Sequence, residues 1–169
     1  KNRNCLSLRR QRQMCISGRL RTAHDNESPM WGAVAGEREH LGDQAARQFD
    51  HLLENPSSTI FVAEKQATFT GFLALDTSLW QSLSRTTTLM VGVLSAYQGK
   101  GIALSLFQQA QVWTAGKDIH RIELVVLRDN ISAIGLYKKM GFVEEGVRKQ
   151  SSYLNGQFVD EIYMAKLLN

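Results

Sequence analysis

The chain is poor in residues that staple a fold or hold a metal. Its two cysteines, Cys5 and Cys15, stand ten positions apart with no Cys-x-x-Cys and no histidine at ligand spacing. Neither zinc nor dithiol chemistry is indicated, and two free thiols fit a reducing compartment. No apolar run approaches the roughly eighteen residues of a membrane span, and the basic start lacks the apolar core of a signal peptide. A cytoplasmic protein without membrane contact is therefore expected. The net charge of +4 owes much to Lys1, Arg3, Arg9, Arg10, Arg12, Arg19 and Arg21, which no nearby acid matches. Aromatic residues do not interleave with these arginines as stacking platforms would require, so nucleic acid is not the expected partner.

What is there is ordinary for a globular protein, at 43% hydrophobic and 21% charged residues. One α/β domain spanning residues 1–169 accounts for the pattern. A first strand is predicted over 6–11, an irregular helix over 14–24, a glycine- and alanine-rich loop over 28–42, and a helix over 43–54 that Asn55-Pro56 stops. Residues 59–64 and 68–75 form a hairpin pattern, 76–84 a loop, and 85–94 a fourth strand. The helix that follows carries Ile102, Leu106, Phe107, Ala110 and Trp113 on one stripe and ends at Gly116. Residues 119–127 are near-continuously apolar in their second half and read as a strand buried on both faces. A short capped helix bearing Ala133, Ile134, Tyr137 and Met140 precedes two strands joined at Asn155-Gly156, a type I′ turn signal.

Between the fourth strand and its helix lies a glycine loop. Gly99 and Gly101 permit positive φ and close approach of backbone N–H groups to an anion, and the helix start leaves up to four N–H groups unpaired. The spacing fails two familiar phosphate loops. Ile102 and Ala103 follow Gly101 where a P-loop needs Lys and a hydroxyl, and Leu104 stands where the dinucleotide fingerprint needs its third glycine.

What fits is Gln98-x-x-Gly101-x-Ala103, preceded by Val91-Gly92-Val93 and followed by Asn130-x-x-Ala133-x-x-x-Tyr137-x-x-x-Gly141-Phe142. Jointly these resemble the cofactor half of the GNAT N-acetyltransferases over roughly residues 59–168, with a core at about 86–142. The closing residues 159–164 are similar to the last strand of ribosomal-protein and amino-acid acetyltransferases. The resemblance implies a mixed, mostly antiparallel sheet of about seven strands with helices on both faces, splayed between the fourth and fifth strands. It implies acetyl-CoA as acyl donor without a metal. Backbone of Val91, Gly92 and Val93 would pair with the pantetheine arm. Gln98, Gly99, Lys100, Gly101, Ile102, Ala103 and Leu104 would hold the pyrophosphate, with Asn130 on the pantetheine arm or acting as a helix cap.

Within that resemblance Tyr137 is the general acid: a phenol of pKa about 10 can protonate a leaving thiolate of pKa about 8.5. Its competing reading is a core tyrosine on an amphipathic helix. Several relatives place a glutamate five residues before the asparagine; here that residue is Val125, and the fourth strand has no acid. Glu123, on the face of Val125 by strand alternation, is the candidate base, directly or through water, and equally a partner of Arg121 or His120. The acceptor is a small-molecule amine or a protein N-terminal amine, attacked directly in a ternary complex; a homodimer is compatible. The rival readings are a non-catalytic acyl-CoA-binding module and a basic nucleic-acid-binding protein.

Overall fold

A computed structural model of the protein describes residues 6–11, 52–66 and 68–168. The expectations for 14–24, for 28–42 and for most of 43–54 lie outside those residues; residues 52–54 are helical. Seven strands form one sheet: β1 (Leu6–Gln11), β2 (Thr59–Lys65), β3 (Thr68–Thr77), β4 (Thr86–Val93), β5 (Arg121–Leu127), β6 (Val143–Leu154) and β7 (Gln157–Leu167). Their spatial order is β1-β2-β3-β4-β5-β7-β6. Only β4 and β5 run parallel. Parallel neighbours cannot be joined by a tight turn, and α1 (Ile102–Ala115) makes the crossover. A second helix, α2 (Ile131–Lys139), carries the chain from β5 to β6.

Strand alternation sorts the apolar residues onto two faces. Phe61, Leu73, Leu75, Leu89, Val91, Ile122, Leu124, Val126, Ile162 and Met164 pack against Ile102, Leu106 and Phe107 of α1 and Ile134 and Tyr137 of α2. On the other face Ile60, Val62, Phe72 and Ala74 close over Leu52. Burying one such side chain contributes about 1.5–3 kcal/mol, so the two layers hold the sheet between them.

Three features differ from the sequence expectation. β3 runs on to Thr77, and the expected loop contains a 3₁₀ turn over Gln81–Leu83. β5 is not buried on both faces: Ile122, Leu124 and Val126 are buried, whereas Val125 is 40% exposed. The continuous apolar run reflects a face left open beside β4. At the other hairpin the Asn-Gly signal acts as expected, with φ of 51° at Asn155 and 80° at Gly156.

Candidate active site

Strands β4 and β5 pair only at Thr86↔Arg121, Thr87↔Ile122 and Thr88↔Glu123. Beyond Thr88 they part, while β4 stays with β3 as far as Gly71↔Val93 and β5 stays with β7 as far as Leu127↔Glu161. The result is a wedge opening toward the C-terminal ends of both strands. Gly71 is one reason β4 can lean toward β3, since a Cβ there would lie 2.7 Å from the Gly92 carbonyl oxygen. The pairing even outruns the strand, because Leu94 N–H donates to the Thr70 carbonyl at 3.0 Å.

That last bond fixes which backbone groups face the wedge. In an antiparallel ladder alternate residues turn both N–H and C=O to the partner. With Leu94 bonded to Thr70, Gly92 and Met90 also face β3, and Val91 and Val93 present theirs to the β5 side, where no strand pairs with them. Gln98 Nε2 donates to the Val93 carbonyl at 3.1 Å, folding the loop back onto the strand end.

The loop then turns through left-handed backbone at Gly99 (φ 69°) and Gly101 (φ 77°). Among the described residues nothing lies within 4 Å of the Cβ position at either, so glycine is needed there for its backbone conformation. Gly101 is the N-cap of α1 and offers no side-chain acceptor; the first helical bond is Ser105 N–H to the Gly101 carbonyl at 3.0 Å. The N–H groups of Ile102, Ala103 and Leu104 therefore lack intrahelical partners at the positive end of a fourteen-residue helix. Lys100 curls back, its Nζ donating to the Ala96 carbonyl at 2.7 Å and lying 5.2 Å from the Tyr97 ring centroid. Its charge sits beside the loop rather than over the helix start.

Asn130 caps α2, its Oδ1 accepting from Ala133 N–H at 3.2 Å and from Ser132 Oγ at 3.1 Å. Two helical turns after that cap, Tyr137 is 6% exposed, edge-on to Phe107 and tilted against Phe142, each ring at 6.0 Å. Burial pushes its phenol up to about 12. Its hydroxyl has no hydrogen-bond partner among the described residues. Tyr137 thus belongs to the layer that holds Val91, Leu124 and Val126, the strands flanking the wedge.

The opposite face carries the odd-numbered residues of β5. Glu123 is in the last pair before the strands part, and its Oε2 accepts from Arg121 Nε at 2.8 Å. Arg121 also bonds both carboxylate oxygens of Glu145. These two acids, Glu145 foremost, raise the guanidinium's pKa, and Arg121 holds the Glu145 carboxyl below its usual range. Of the two readings of Glu123, partner of Arg121 is the contact observed. His120 instead leads into β5, its N–H bonded to the Arg85 carbonyl at 2.8 Å. A hollow bounded by Arg85, Lys117, His120 and Leu168 lies at the far end of β4 and β5 and takes no part in the wedge.

Further along this face Val125 sits opposite Tyr163, and Leu127 opposite Glu161. Arg148 of β6 pairs with Glu161, its Nη1 donating to Oε2 at 3.0 Å, and stands 5.4 Å from the Tyr163 ring centroid. Sequence reasoning missed this group, because it depends on a strand register that slips between Arg148 and Ser152. The Asn-Gly turn was the one signal for that hairpin.

No group of three His, Cys, Asp or Glu is placed to hold a metal, and no helix is long and apolar enough to cross a membrane, among the described residues. Compared with known proteins, residues 21–142 match the model of the acetyltransferase (GNAT) family. The chain is similar to the L-amino acid N-acetyltransferase AaaT of Escherichia coli K12, at 31% identity over 119 residues covering 70% of this chain and 74% of that protein. It is also similar to the spermidine N(1)-acetyltransferase of Vibrio cholerae, at 28% identity over 124 residues covering 70% of each. Among solved structures, an acetyltransferase of the GNAT family from Streptococcus pneumoniae superposes with a TM-score of 0.84 at 20% identity, over 97% of this chain and all of that one (100%), a likeness of fold. With the family model spanning most of the chain across the wedge, the glycine turn and α2, the chain belongs to the acetyltransferase (GNAT) family of enzymes.

Proposed function

We propose that the protein transfers an acetyl group from acetyl-CoA to a primary amine by direct attack within a ternary complex. The observation that carries this reading is the β4 edge at Val91 and Val93, which no described strand pairs, ending in a glycine turn whose helix start has open amides. An extended amide-bearing arm fits such an edge as an added strand would, and a diphosphate fits the turn. Each helix-start interaction with an anion contributes about 0.3–1 kcal/mol, up to about 2 where partly buried. Val91 and Val93 would hold the pantetheine arm beside Gly92, and the N–H groups from Gly99 to Leu104 the diphosphate. Gln98 and Lys100 brace that loop from Val93 and Ala96. Asn130 caps the helix that carries Tyr137.

Acetyl-CoA supplies the activated carbonyl carbon; the remaining steps fall to the protein and the amine. The amine nitrogen bonds to that carbon, the carbon–sulfur bond breaks, and Tyr137 gives its phenolic proton to the departing sulfur. Raised to about 12, the phenol stays in its donor form through neutral pH. The burial that weakens it as an acid also raises the basicity of a thiolate formed beside it. The surplus proton of the amine leaves through water on the open face, where Glu123 is the β5 carboxylate nearest the wedge. Its Oε2 is already bonded to Arg121 Nε, which limits its share. Holding both reactants in one wedge supplies much of the rate gain.

Calorimetry with coenzyme A, followed by thiol release on a panel of amino acids, polyamines and peptide N-termini, tests the reading. Heat on mixing and turnover on at least one amine are expected. Binding without turnover on any amine would leave an acyl-CoA-binding module, and no binding would remove the site altogether.

A further inference from the structure

Resting on the acetyl-transfer reading, we propose that Arg148 binds a carboxylate of the acceptor, so that the amine acetylated is that of an amino acid. The assignment starts from strand register. The two-residue turn pairs Leu154 with Gln157 and Tyr153 with Phe158, and an unbroken ladder would bring Gln150 opposite Glu161. The irregularity between Arg148 and Ser152, with Gln150 at φ 51°, slides β6 by two residues and puts Arg148 there instead. Bulges re-aim side chains in this way. Asp160 secures this one, accepting from Gln150 N–H at 2.9 Å.

The guanidinium so delivered is held on two sides. Glu161 takes one N–H, and its own carboxylate also accepts from Ser151 Oγ at 2.9 Å and Ser152 Oγ at 2.8 Å. The plane stands over the Tyr163 ring. Arginine has five N–H donors in a rigid fork. One is used, and the others meet no acceptor among the described residues, on a side chain that is 44% exposed. Two anchors and spare donors are what binding a carboxylate side-on requires, with little side-chain entropy left to lose.

Position then selects the ligand. Tyr163 is the cross-strand neighbour of Val125, at the point where β5 has lost its β4 partner. Adjacent strands lie about 5 Å apart, so a cation over Tyr163 is about one strand spacing from the wedge. An amine at the wedge and a carboxylate on Arg148, each reached by a hydrogen bond of about 2.8 Å, span that gap when they belong to one small molecule. Lower on the same face Arg121 carries both Glu123 and Glu145, so its fork is already occupied. A polyamine would bring a second cation toward Arg148 and be repelled.

The test is acetyl transfer to L-amino acids, to their carboxamides and to spermidine, with coenzyme A binding measured by calorimetry on the same samples. Wild type is expected to favour each acid over its amide by about tenfold or more in kcat/KM, the worth of one charge-assisted contact. Arg148→Ala should erase that ratio through KM of the acid alone, leaving the amides, kcat and coenzyme A affinity near wild type. Arg148→Lys, which keeps the charge and loses the fork, should fall between. Acid and amide turned over equally by wild type, spermidine preferred, or a ratio that survives in Arg148→Ala would overturn the assignment and leave acetyl transfer standing. Coenzyme A binding with no transfer to any amine would instead overturn the reading on which it rests.

Discussion

Replacing Tyr137 with phenylalanine should push stability and activity in opposite directions, and the structure sets both magnitudes. Tyr137 is buried between Phe107 and Phe142, and its hydroxyl is largely desolvated with no hydrogen-bond partner among the described residues. A hydroxyl desolvated without a partner costs up to about 1–3 kcal/mol by mutational measure. Removing it while keeping the ring should stabilise the fold by about 1 kcal/mol, a rise in Tm of about 2–4 °C for a chain of this size. The same change removes the proposed proton donor and should lower kcat by about 10²- to 10⁴-fold. A pH dependence accompanies the loss. Because burial raises the phenol to about 12, the folded chain holds the proton more tightly than the unfolded one, at about 10. Its contribution is full below about pH 10 and falls by about 3 kcal/mol as pH rises from 10 to 12. Tyr137→Phe should lack that decline. Thermal melts at pH 7 and urea titrations from pH 9 to 12, beside thiol-release kinetics, read all three effects. A variant that melts lower and turns over normally would make Tyr137 a core residue and refute the acid assignment.

Other outcomes follow from the same geometry. Gly101→Val puts a β-branched residue at φ 77°; strain of about 1–2 kcal/mol should appear in the melting curve, and calorimetric affinity for coenzyme A should drop at least about tenfold. Glu123→Gln should lower kcat/KM by no more than about tenfold near pH 7 and less at pH 9, where more of the amine is already free; a loss independent of pH would assign Glu123 to holding Arg121 alone. Asp160 is held below its usual range first by Gln150 N–H and then by Arg128, so its stabilisation is present at neutral pH and lost as pH falls through its lowered value. The stability gap between wild type and Asp160→Asn in chemical denaturation should accordingly narrow toward pH 3, and a constant gap would contradict this.

Local chemistry was readable before any coordinates, because it depends on neighbours along the chain. Asn155-Gly156 demanded two positive φ angles, Asn130 offered a cap three residues past a strand, and Gly99 and Gly101 announced a left-handed turn. Nonlocal matters were less so. The apolar run around Val125 looked doubly buried, since nothing in a strand's own residues says that its neighbour stops pairing at Thr88. Glu123 carried two readings until the register showed Arg121 bonded to it and to Glu145. The Arg148–Glu161 pair was invisible for the same reason. Two extra residues in β6 change every partner beyond them, and no periodicity in the sequence marks where they go.

Three residue pairs join β4 to β5 in a sheet of seven strands. Mechanically this is a pair of ribbons stitched at one end, and the stitching stops short of the edge proposed to hold the donor. A donor lodged between them acts as a splint. The amides of Val91, Val93, Val125 and Leu127, which face the wedge, should exchange with solvent faster than their depth implies when the protein is empty, and slow together once coenzyme A is bound.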